Sequence, residues 1–316
     1  MNPLSIEEAY RLIESERVVV PRPDRGLVVL TGPQRVWFLQ NTVTADLDAL
    51  DDGRWTDSCF LTPKGKVVAH FRAGKLGERV VLDVDPPGTA DLIGWFTRYR
   101  FRTQVEIQDA SSGAFTVIGA GAHEPSTGAA GRVDDSPAGL RFFDTLGPHE
   151  TVDVHAGTEP QDIAHLPVAD PRLYEVLRVE AGAGRFGTDY GPETLPQEAG
   201  LTLAVSVTKG CYVGQEVMAR LHFRGHVNRV LRKLTFNQPV TAGEQLLHDG
   251  RPVGRVTSSV VSPGQGPIGI GMVRVDVPDG TALQVPGAGP AVVGPIPEGT
   301  KVAAGPPQGA GPPQNV

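Results

Sequence analysis

The segment Lys209 to Glu216, which reads Lys-Gly-Cys-Tyr-Val-Gly-Gln-Glu, places one of the chain's two cysteines where a thiol can become reactive. Gly210 and Gly214 permit tight backbone turns. Lys209 adds a positive charge, and the first amides of a following helix would add partial positive charge near Cys211. Both effects favour the thiolate, which is the nucleophile and the metal ligand. The alternative is a small apolar residue buried at a helix start.

A second candidate is Glu180, which lies near the end of a predicted helix. The helix begins at Asp170-Pro171, a cap residue followed by proline, and runs to about Ala181. Steps of three and four residues place Glu180 on one face with Leu173, Val176 and Leu177. A carboxylate on an apolar face needs an internal cation or a ligand with paired N–H groups. The alternative is a partly exposed acid at the helix end.

Two further patterns are weaker. Gly182 to Gly187 has the glycine spacing of a dinucleotide-binding loop, but it follows a helix instead of a strand, so these glycines are expected to end the helix and shape a turn.

The region from Arg220 to Lys233 is locally basic and is by default a solvated face. Its other use would be to hold the anionic tail of a ligand or an RNA backbone.

Composition limits the class of protein. With 316 residues, 40% hydrophobic and 21% charged, the chain can form two or three domains with a substantial core. The formal charge of −7 argues against broad binding of nucleic acid phosphates. Two cysteines are too few for a disulfide framework, which fits a reducing cytoplasm. No stretch approaches the roughly 20 apolar residues of a membrane span, and the N-terminus lacks the features of a signal peptide.

The order of predicted elements indicates an α+β fold. Strands at 27–30 and 59–82 surround a helix that opens at Gly32-Pro33 and reaches Val43, and a second helix covers Leu92 to Tyr99. Strands follow near 105–107, 115–118, 140–143 and 151–154, with a surface loop from His123 to Ser136. Short strands at 230–236, 245–247, 253–256, 259–261, 268–273 and 283–285 suggest a small barrel or sandwich.

Several motifs together resemble the YgfZ-type folate-binding proteins of the aminomethyltransferase (glycine cleavage T-protein) superfamily, which also contains a mitochondrial iron–sulfur maturation factor. All eight positions from Lys209 to Glu216 look like the YgfZ signature: Lys209, Gly210, Cys211, Tyr212, Val213, Gly214, Gln215 and Glu216. The segments 178–182, 187–189 and 196–201 resemble the superfamily's Arg-x-Glu-x-Gly, Gly-x-Asp and Pro-x-Glu-x-x-Leu runs. Segments 38–46 and 253–258 are also similar, so the resemblance covers almost everything except the tail.

The resemblance implies a three-domain cloverleaf around a central hole that holds tetrahydrofolate or a derivative. It implies a discontinuous folate-binding core at 1–50 plus 114–228, an α+β meander domain at 51–113, a β-barrel domain at 229–300 and a disordered tail at 301–316. Glu180 is the matching position for the carboxylate that pairs with the pterin ring, and Arg178 and Tyr190 are expected beside it. A pterin offers adjacent N–H donors to such a carboxylate.

One departure bears on enzyme activity. Where the aminomethyltransferase has an Asp-Asp pair that includes its catalytic acid, this chain has Ala69-His70. The leading hypothesis is therefore a folate-binding accessory protein that supports iron–sulfur assembly or client proteins, with Cys211 as a transient cluster ligand or redox thiol. The alternatives are an aminomethyltransferase or other one-carbon transferase, with His70 as a substitute for the acid, and a tRNA-modification factor that binds RNA.

Overall fold

The structure is a computed structural model that describes residues 2–121, 131–136, 139–156 and 160–297. The helices in these residues are α1 (Ile6–Leu12), α2 (Arg35–Gln40), α3 (Gly88–Arg100), α4 (Arg172–Ala181) and α5 (Gln215–Arg224), with a 3-10 turn at Thr202–Ala204. The strands are β1 (Arg17–Arg22), β2 (Gly26–Thr31), β3 (Arg54–Leu61), β4 (Val67–Leu76), β5 (Arg79–Val84), β6 (Glu106–Asp109), β7 (Ala114–Gly119), β8 (Gly131–Ser136), β9 (Gly139–Leu146), β10 (His149–His155), β11 (Arg229–Phe236), β12 (Gln245–His248), β13 (Arg251–Ser262), β14 (Gly266–Arg274), β15 (Ala282–Val285) and β16 (Gly289–Val293).

Ten of the described strands form one antiparallel sheet in the order β1-β7-β10-β9-β8-β3-β4-β5-β2-β6. The sheet has two halves that meet where Trp55 of β3 pairs with Gly131 of β8. Each half contains a three-stranded meander, β3-β4-β5 or β8-β9-β10. In space, the last strand of the meander lies next to a strand from earlier in the chain (β2 or β7), and that strand lies next to the edge strand (β6 or β1). The predicted meander at 54–85 is thus one part of a repeated arrangement, in which β2 lies between β5 and β6.

Apolar helix faces cover both halves of the sheet. In the first half, Phe96 of α3 packs edge-on against Phe38 of α2 and Phe60 of β3, with ring centroids 5.4 and 5.5 Å apart. In the second half, α1 and α4 pack together through Ile13, Leu173 and Leu177, all at most 1% exposed. None of the described helices is long and apolar enough to cross a membrane.

The remaining described strands close into a six-stranded barrel in the order β11-β14-β13-β12-β15-β16. The sequence predicts a small barrel or sandwich, and the structure has the barrel. The two strands predicted at 253–256 and 259–261 are one long strand, β13, with a register shift between Val256 and Ser258. Strand β16 was not predicted, because Gly289-Pro290 begins it and reads as a turn.

Two local predictions differ from the structure. Within the loop predicted at 123–136, residues 131–136 form β8, because pairing with β9 buries Val133 against Trp55 and Phe142 although its neighbours are polar. Residues 122–130 lie outside the described part of the chain, as does the tail predicted at 301–316. Helix α2 is shorter than predicted: it spans Arg35–Gln40, and Val43 lies beyond it, bridged to Phe60.

The two halves of the sheet are joined by a buried group of charges centred on Asp83 of β5, whose side chain is 0% exposed. Asp83 accepts hydrogen bonds at 2.6 Å from Nε and Nη2 of Arg25 and from Nε of Arg72, and at 2.8 Å from His155 of β10. Arg72 of β4 also pairs with Asp144 of β9 and Asp153 of β10. Burial alone would raise the pKa of Asp83, but Arg25 and Arg72 hold it well below its usual value.

We expect Asp83→Ala to lower the free energy of unfolding by about 3–5 kcal/mol, because it leaves two buried guanidinium groups without their main partner. A matched control is Asp276→Ala, since the Arg274–Asp276 pair is exposed at 58% and 60% and should contribute less than about 1 kcal/mol. Urea unfolding followed by tryptophan fluorescence measures both variants. Similar losses in the two would contradict the role of the buried group.

Candidate functional site

A cavity of about 170 Å³ lies beside the buried charges, between the sheet and the end of α4. Its lining includes Asp57, His70, Arg72, Asp85 and Gly184. Strand pairing explains this grouping: Asp57 pairs with Arg72, and Cys59 pairs with His70, across β3 and β4. The whole lining presents four carboxylates (Asp57, Asp85, Asp144 and Asp153), two guanidinium groups (Arg25 and Arg72) and the His70 imidazole.

His70 lies between two of the carboxylates of this cavity, those of Asp57 and Asp85. Its Nε2 is 3.3 Å from Asp57 Oδ1 and its Nδ1 is 3.4 Å from Asp85 Oδ2, which are ion-pair distances. Burial would lower the pKa of His70, but the two aspartates outweigh it and raise that pKa to about 9. At neutral pH the ring is an imidazolium, so it is an acid there and not a general base.

Tyr190 lines a second, larger cavity. The larger cavity, of about 360 Å³, lies between residues 187–194 and the barrel and is lined by Tyr190, Arg229 and Arg255 among others. On its other side the Tyr190 ring approaches Gly184 of the small cavity, where a Cβ would lie 3.5 Å from the ring. The Tyr190 hydroxyl is buried and has no hydrogen-bond partner among the described residues. Burial raises the pKa of Tyr190, and so does the Asp85 carboxylate.

A buried ion pair between Arg178 and Asp189 fixes the turn that carries Tyr190. Arg178 Nη1 is 2.8 Å from Asp189 Oδ2, and the other Asp189 oxygen accepts hydrogen bonds from Thr257 and Ser258 of the barrel at 2.6 and 2.7 Å. Arg178 also donates to Glu175, Ala183 O and Ser258 Oγ. All three of its nitrogens have protein partners, so the observed contacts are those of a positioning residue.

Glu180 ends α4 at the junction of three elements and is 9% exposed. Its carboxylate accepts hydrogen bonds from the hydroxyls of Tyr10 of α1, at 3.3 Å, and Ser262 of β13. Both donors are neutral. The ammonium of Lys233 binds the backbone carbonyl of Glu180 instead of its side chain. Ionised carboxylates have about four acceptor positions, so two hydroxyls leave capacity for a ligand's N–H groups.

Lys209 does not direct its charge as the sequence suggests. Its side chain is buried, and the ammonium donates to the backbone carbonyls of Gln40, Val43 and Ala45 at 2.8, 2.6 and 2.6 Å. Burial lowers the pKa of Lys209 to about 8. Lys209 therefore anchors the motif loop to the segment after α2, and in these contacts it is not available as a partner for the Cys211 thiolate.

Cys211 is exposed, whereas Cys59 is fully buried in the core. Burial raises the pKa of the Cys59 thiol well above its usual value, which makes that cysteine inert. The helix predicted after Cys211 is present as α5, and Gly214 precedes it with φ +84°. A Cβ on Gly214 would lie 2.7 Å from the carbonyl oxygen of Thr62, so only glycine lets the motif pack against the β3–β4 turn.

The predicted site residues fall into separate places. Arg178 and Tyr190 are linked through Asp189, and Glu180 follows Arg178 on α4. Cys211 lies in the loop before α5, and neither Cys211 nor Glu180 lines the two cavities described above. Sequence reasoning missed Asp57, Asp85, Tyr10 and Ser262. Asp83, which interrupts the apolar run of β5, and Asp85, which follows that strand, were the one signal in the sequence for the charged cavity.

Comparison with known proteins identifies the type of fold. Residues 229–296 match the family model described as the glycine cleavage T-protein C-terminal barrel domain. The crystal structure of the glycine cleavage system aminomethyltransferase T from Bartonella henselae superposes with a TM-score of 0.79 at 20% identity, over 92% of this chain and 89% of that chain. The protein therefore has the aminomethyltransferase-type α+β fold with a C-terminal β-barrel.

Two relatives in sequence indicate which proteins of this fold the chain resembles. A mitochondrial protein of Pyricularia oryzae, named an iron–sulfur cluster assembly factor IBA57 homolog, is 28% identical over 293 residues, which are 83% of this chain and 72% of that protein. The tRNA-modifying protein YgfZ of Yersinia pestis is 27% identical over 260 residues, or 75% and 78% of the two chains. The chain is therefore similar in sequence to YgfZ- and IBA57-type proteins and has the fold of the aminomethyltransferase (glycine cleavage T-protein).

The His70 environment predicts an imidazole that titrates near pH 9, compared with about 6.5 in an unfolded chain. A raised folded pKa stabilises the native state fully below about pH 6.5, and this contribution is lost as the pH rises through 9. The stability difference between wild type and His70→Gln should therefore shrink across that window. NMR titration of the His70 ring checks the pKa directly, and a value at or below 6.5 would contradict the assignment.

Proposed function

We propose that this protein binds tetrahydrofolate or a derivative and acts as an accessory protein in the assembly or repair of iron–sulfur proteins, with Cys211 as its functional thiol. The observation that carries the folate part is the buried Tyr190 hydroxyl, which has no partner among the described residues and belongs to a residue that lines the larger cavity. Leaving a buried hydroxyl unsatisfied costs about 1–3 kcal/mol. A bound ligand with a polar group at this point would recover that cost.

The site has the donors and acceptors that a folate requires. Folates carry a pterin with adjacent N–H donors and a glutamate with anionic carboxylates. Glu180 has a carboxylate whose protein donors are two neutral hydroxyls, so it can pair with the pterin donors. Arg229 and Arg255 line the larger cavity and offer positive charge. In this proposal Arg178 acts through Asp189, by holding the turn that presents Tyr190.

The iron–sulfur part of the proposal rests on Cys211 and on the relatives. A protein named as an iron–sulfur cluster assembly factor aligns with most of this chain. Cys211 is the exposed thiol, in a loop anchored by Lys209 and shaped by Gly214. Among the described residues no three His, Cys, Asp or Glu side chains converge on a metal site. A transient cluster would therefore take Cys211 as one ligand and further ligands from an assembly or client protein.

The surroundings of His70 favour an accessory role over one-carbon transfer. The positions of the acidic pair carry Ala69 and His70, and the two nitrogens of His70 already face Asp57 and Asp85. An imidazolium in that place is poorly suited to accept a proton from a folate nitrogen. An assay with an aminomethylated carrier protein and tetrahydrofolate separates the two functions, since the accessory role yields no product.

A cytoplasmic location belongs to this proposal as well, although the Pyricularia relative is mitochondrial.

The folate proposal predicts that Glu180→Gln weakens tetrahydrofolate binding about 10- to 100-fold, because a hydrogen bond to a charged group contributes about 1.5–3 kcal/mol. Tyr190→Phe should weaken binding more modestly while leaving stability unchanged or higher, since it removes an unsatisfied buried hydroxyl. Calorimetric titration of the purified protein measures the affinities. Glu78→Gln is the control, because that side chain is 96% exposed. Wild-type affinity in both site variants would refute the assignment.

The thiol proposal predicts that Cys211→Ser abolishes the recovery of iron–sulfur enzyme activity in cells that lack this protein. The control is Cys59→Ala, which removes a buried thiol and should preserve recovery. In the folded protein a maleimide should label the wild type and Cys59→Ala once each and Cys211→Ser not at all. Full recovery by a folded Cys211→Ser variant would eliminate the thiol from the function.

A further inference from the structure

Aromatic side chains surround an open cavity of about 470 Å³ where α2 meets the end of α3. We call this cavity the aromatic slot. Its walls are Trp37, Tyr99 and Phe101, and Gln34, Asn41 and Arg102 add polar groups. Trp37 is 58% exposed and Phe101 is 84% exposed. Large aromatic residues so exposed around one concavity are typical of a binding surface.

The backbone at Phe101 is strained. Its φ is +42° and its ψ is −107°, values that a residue with a side chain adopts only at a cost in energy. This conformation ends α3 and leaves the ring in solvent. Strain of this kind persists where the surrounding structure enforces it, and it is concentrated at functional sites. Folding alone gains little from an exposed phenylalanine.

The two sides of the slot are held rigidly together. Gln34, which precedes α2, accepts a hydrogen bond from Gln104 N through its side chain at 2.7 Å and donates its own backbone N–H to Gln104 O at 3.2 Å. Beneath the slot, Phe60 packs edge-on against Tyr99 and Phe96, with centroids 5.7 and 5.5 Å away. The two backbone segments that carry Trp37 and Phe101 are therefore held together before any ligand arrives.

Arg102, which lines the slot, places a positive charge there, and Arg98 and Arg100 precede it on α3, although the whole chain carries −7. Residues 98–102 read Arg-Tyr-Arg-Phe-Arg, and none of the described residues lining the slot is acidic. Two of these arginines lie against aromatic rings: Arg98 is 5.5 Å from the Trp95 centroid, and Arg102 is 5.5 Å from that of Phe101. A guanidinium held in this way keeps its edge N–H groups for a phosphate.

We propose that the aromatic slot binds single-stranded RNA, with bases stacked on Trp37 and Phe101 and phosphates paired with Arg98, Arg100 and Arg102. Stacking platforms flanked by cations are the means by which proteins hold unpaired nucleotides without reading their sequence. Duplex RNA has no exposed base faces for such a slot. This surface differs from the basic region at 220–233, and its function does not require folate binding at Glu180 or Tyr190.

Fluorescence anisotropy with a labelled 12-nucleotide oligouridine tests the proposal. We expect binding by the wild type and weaker binding to a duplex of equal length. Trp37→Ala should weaken binding about 5- to 150-fold, the range for loss of one stacked base. Phe101→Gly should weaken it similarly while raising or preserving Tm, because glycine tolerates the positive φ. Replacing all three arginines with alanine should reduce the slope of log K against log salt by roughly two.

The control is the double variant Arg220→Glu with Arg224→Glu on α5, which should keep wild-type affinity if the slot is the site. No measurable binding of oligouridine, or unchanged binding by Trp37→Ala and Phe101→Gly, overturns the proposal. Binding of a polyglutamate peptide but not of RNA, lost in Trp37→Ala, would make the slot a site for an acidic protein and would also overturn it. Tetrahydrofolate titration of Trp37→Ala should match wild type, so failure here is distinguishable from failure of the folate proposal.

Discussion

The buried pairing of Asp83 with Arg25 and Arg72 is the constraint on which the rest of the structure depends. Charges taken out of water must be neutralised by well-placed partners, and two partners of Asp83 are distant in the chain: Arg25 is 58 residues away and His155 is 72 residues away. The two halves of the sheet meet through only a short pairing of β3 with β8. The buried ion pairs therefore largely fix the orientation of one half relative to the other. The geometry of the small cavity follows from that orientation.

Two other buried charged side chains also connect separate parts of the chain. Arg178 and Asp189 join α4 to the barrel and thereby place Tyr190. Lys209 joins the motif loop to the carbonyls after α2 and thereby presents Cys211. In each case a charged residue of a motif contacts protein atoms close to a residue that the proposed function assigns to a ligand or partner. Arg178 and Lys209 are therefore structural residues, whereas the proposed chemistry belongs to Glu180, Tyr190 and Cys211.

In the proposed accessory role, the arrangement around His70 distinguishes this protein from a transferase of the same fold. His70 stands where the resemblance places a catalytic acid, and Asp57 and Asp85 raise its pKa so that it is protonated at neutral pH. The proposed folate site, the exposed thiol and the aromatic slot lie on different elements of one framework, which allows each to be tested by variants that leave the others intact.

The sequence by itself determined the α+β class, a C-terminal region of short strands, the helix ending at Ala181 and the helix after the motif, because these follow from local periodicity, caps and fixed motif spacings. The choice of a closed barrel over a sandwich and the exposure of Cys211 were decided only by the tertiary structure. The sequence also indicated Glu180, since its helix face is visible in the sequence. Only the tertiary structure decided that β8 pairs with β9, that Arg178 and Lys209 are committed to protein partners, and that Asp57, His70 and Asp85 share a cavity. Those outcomes depend on contacts between residues distant in the chain, and no local pattern of side chains encodes them.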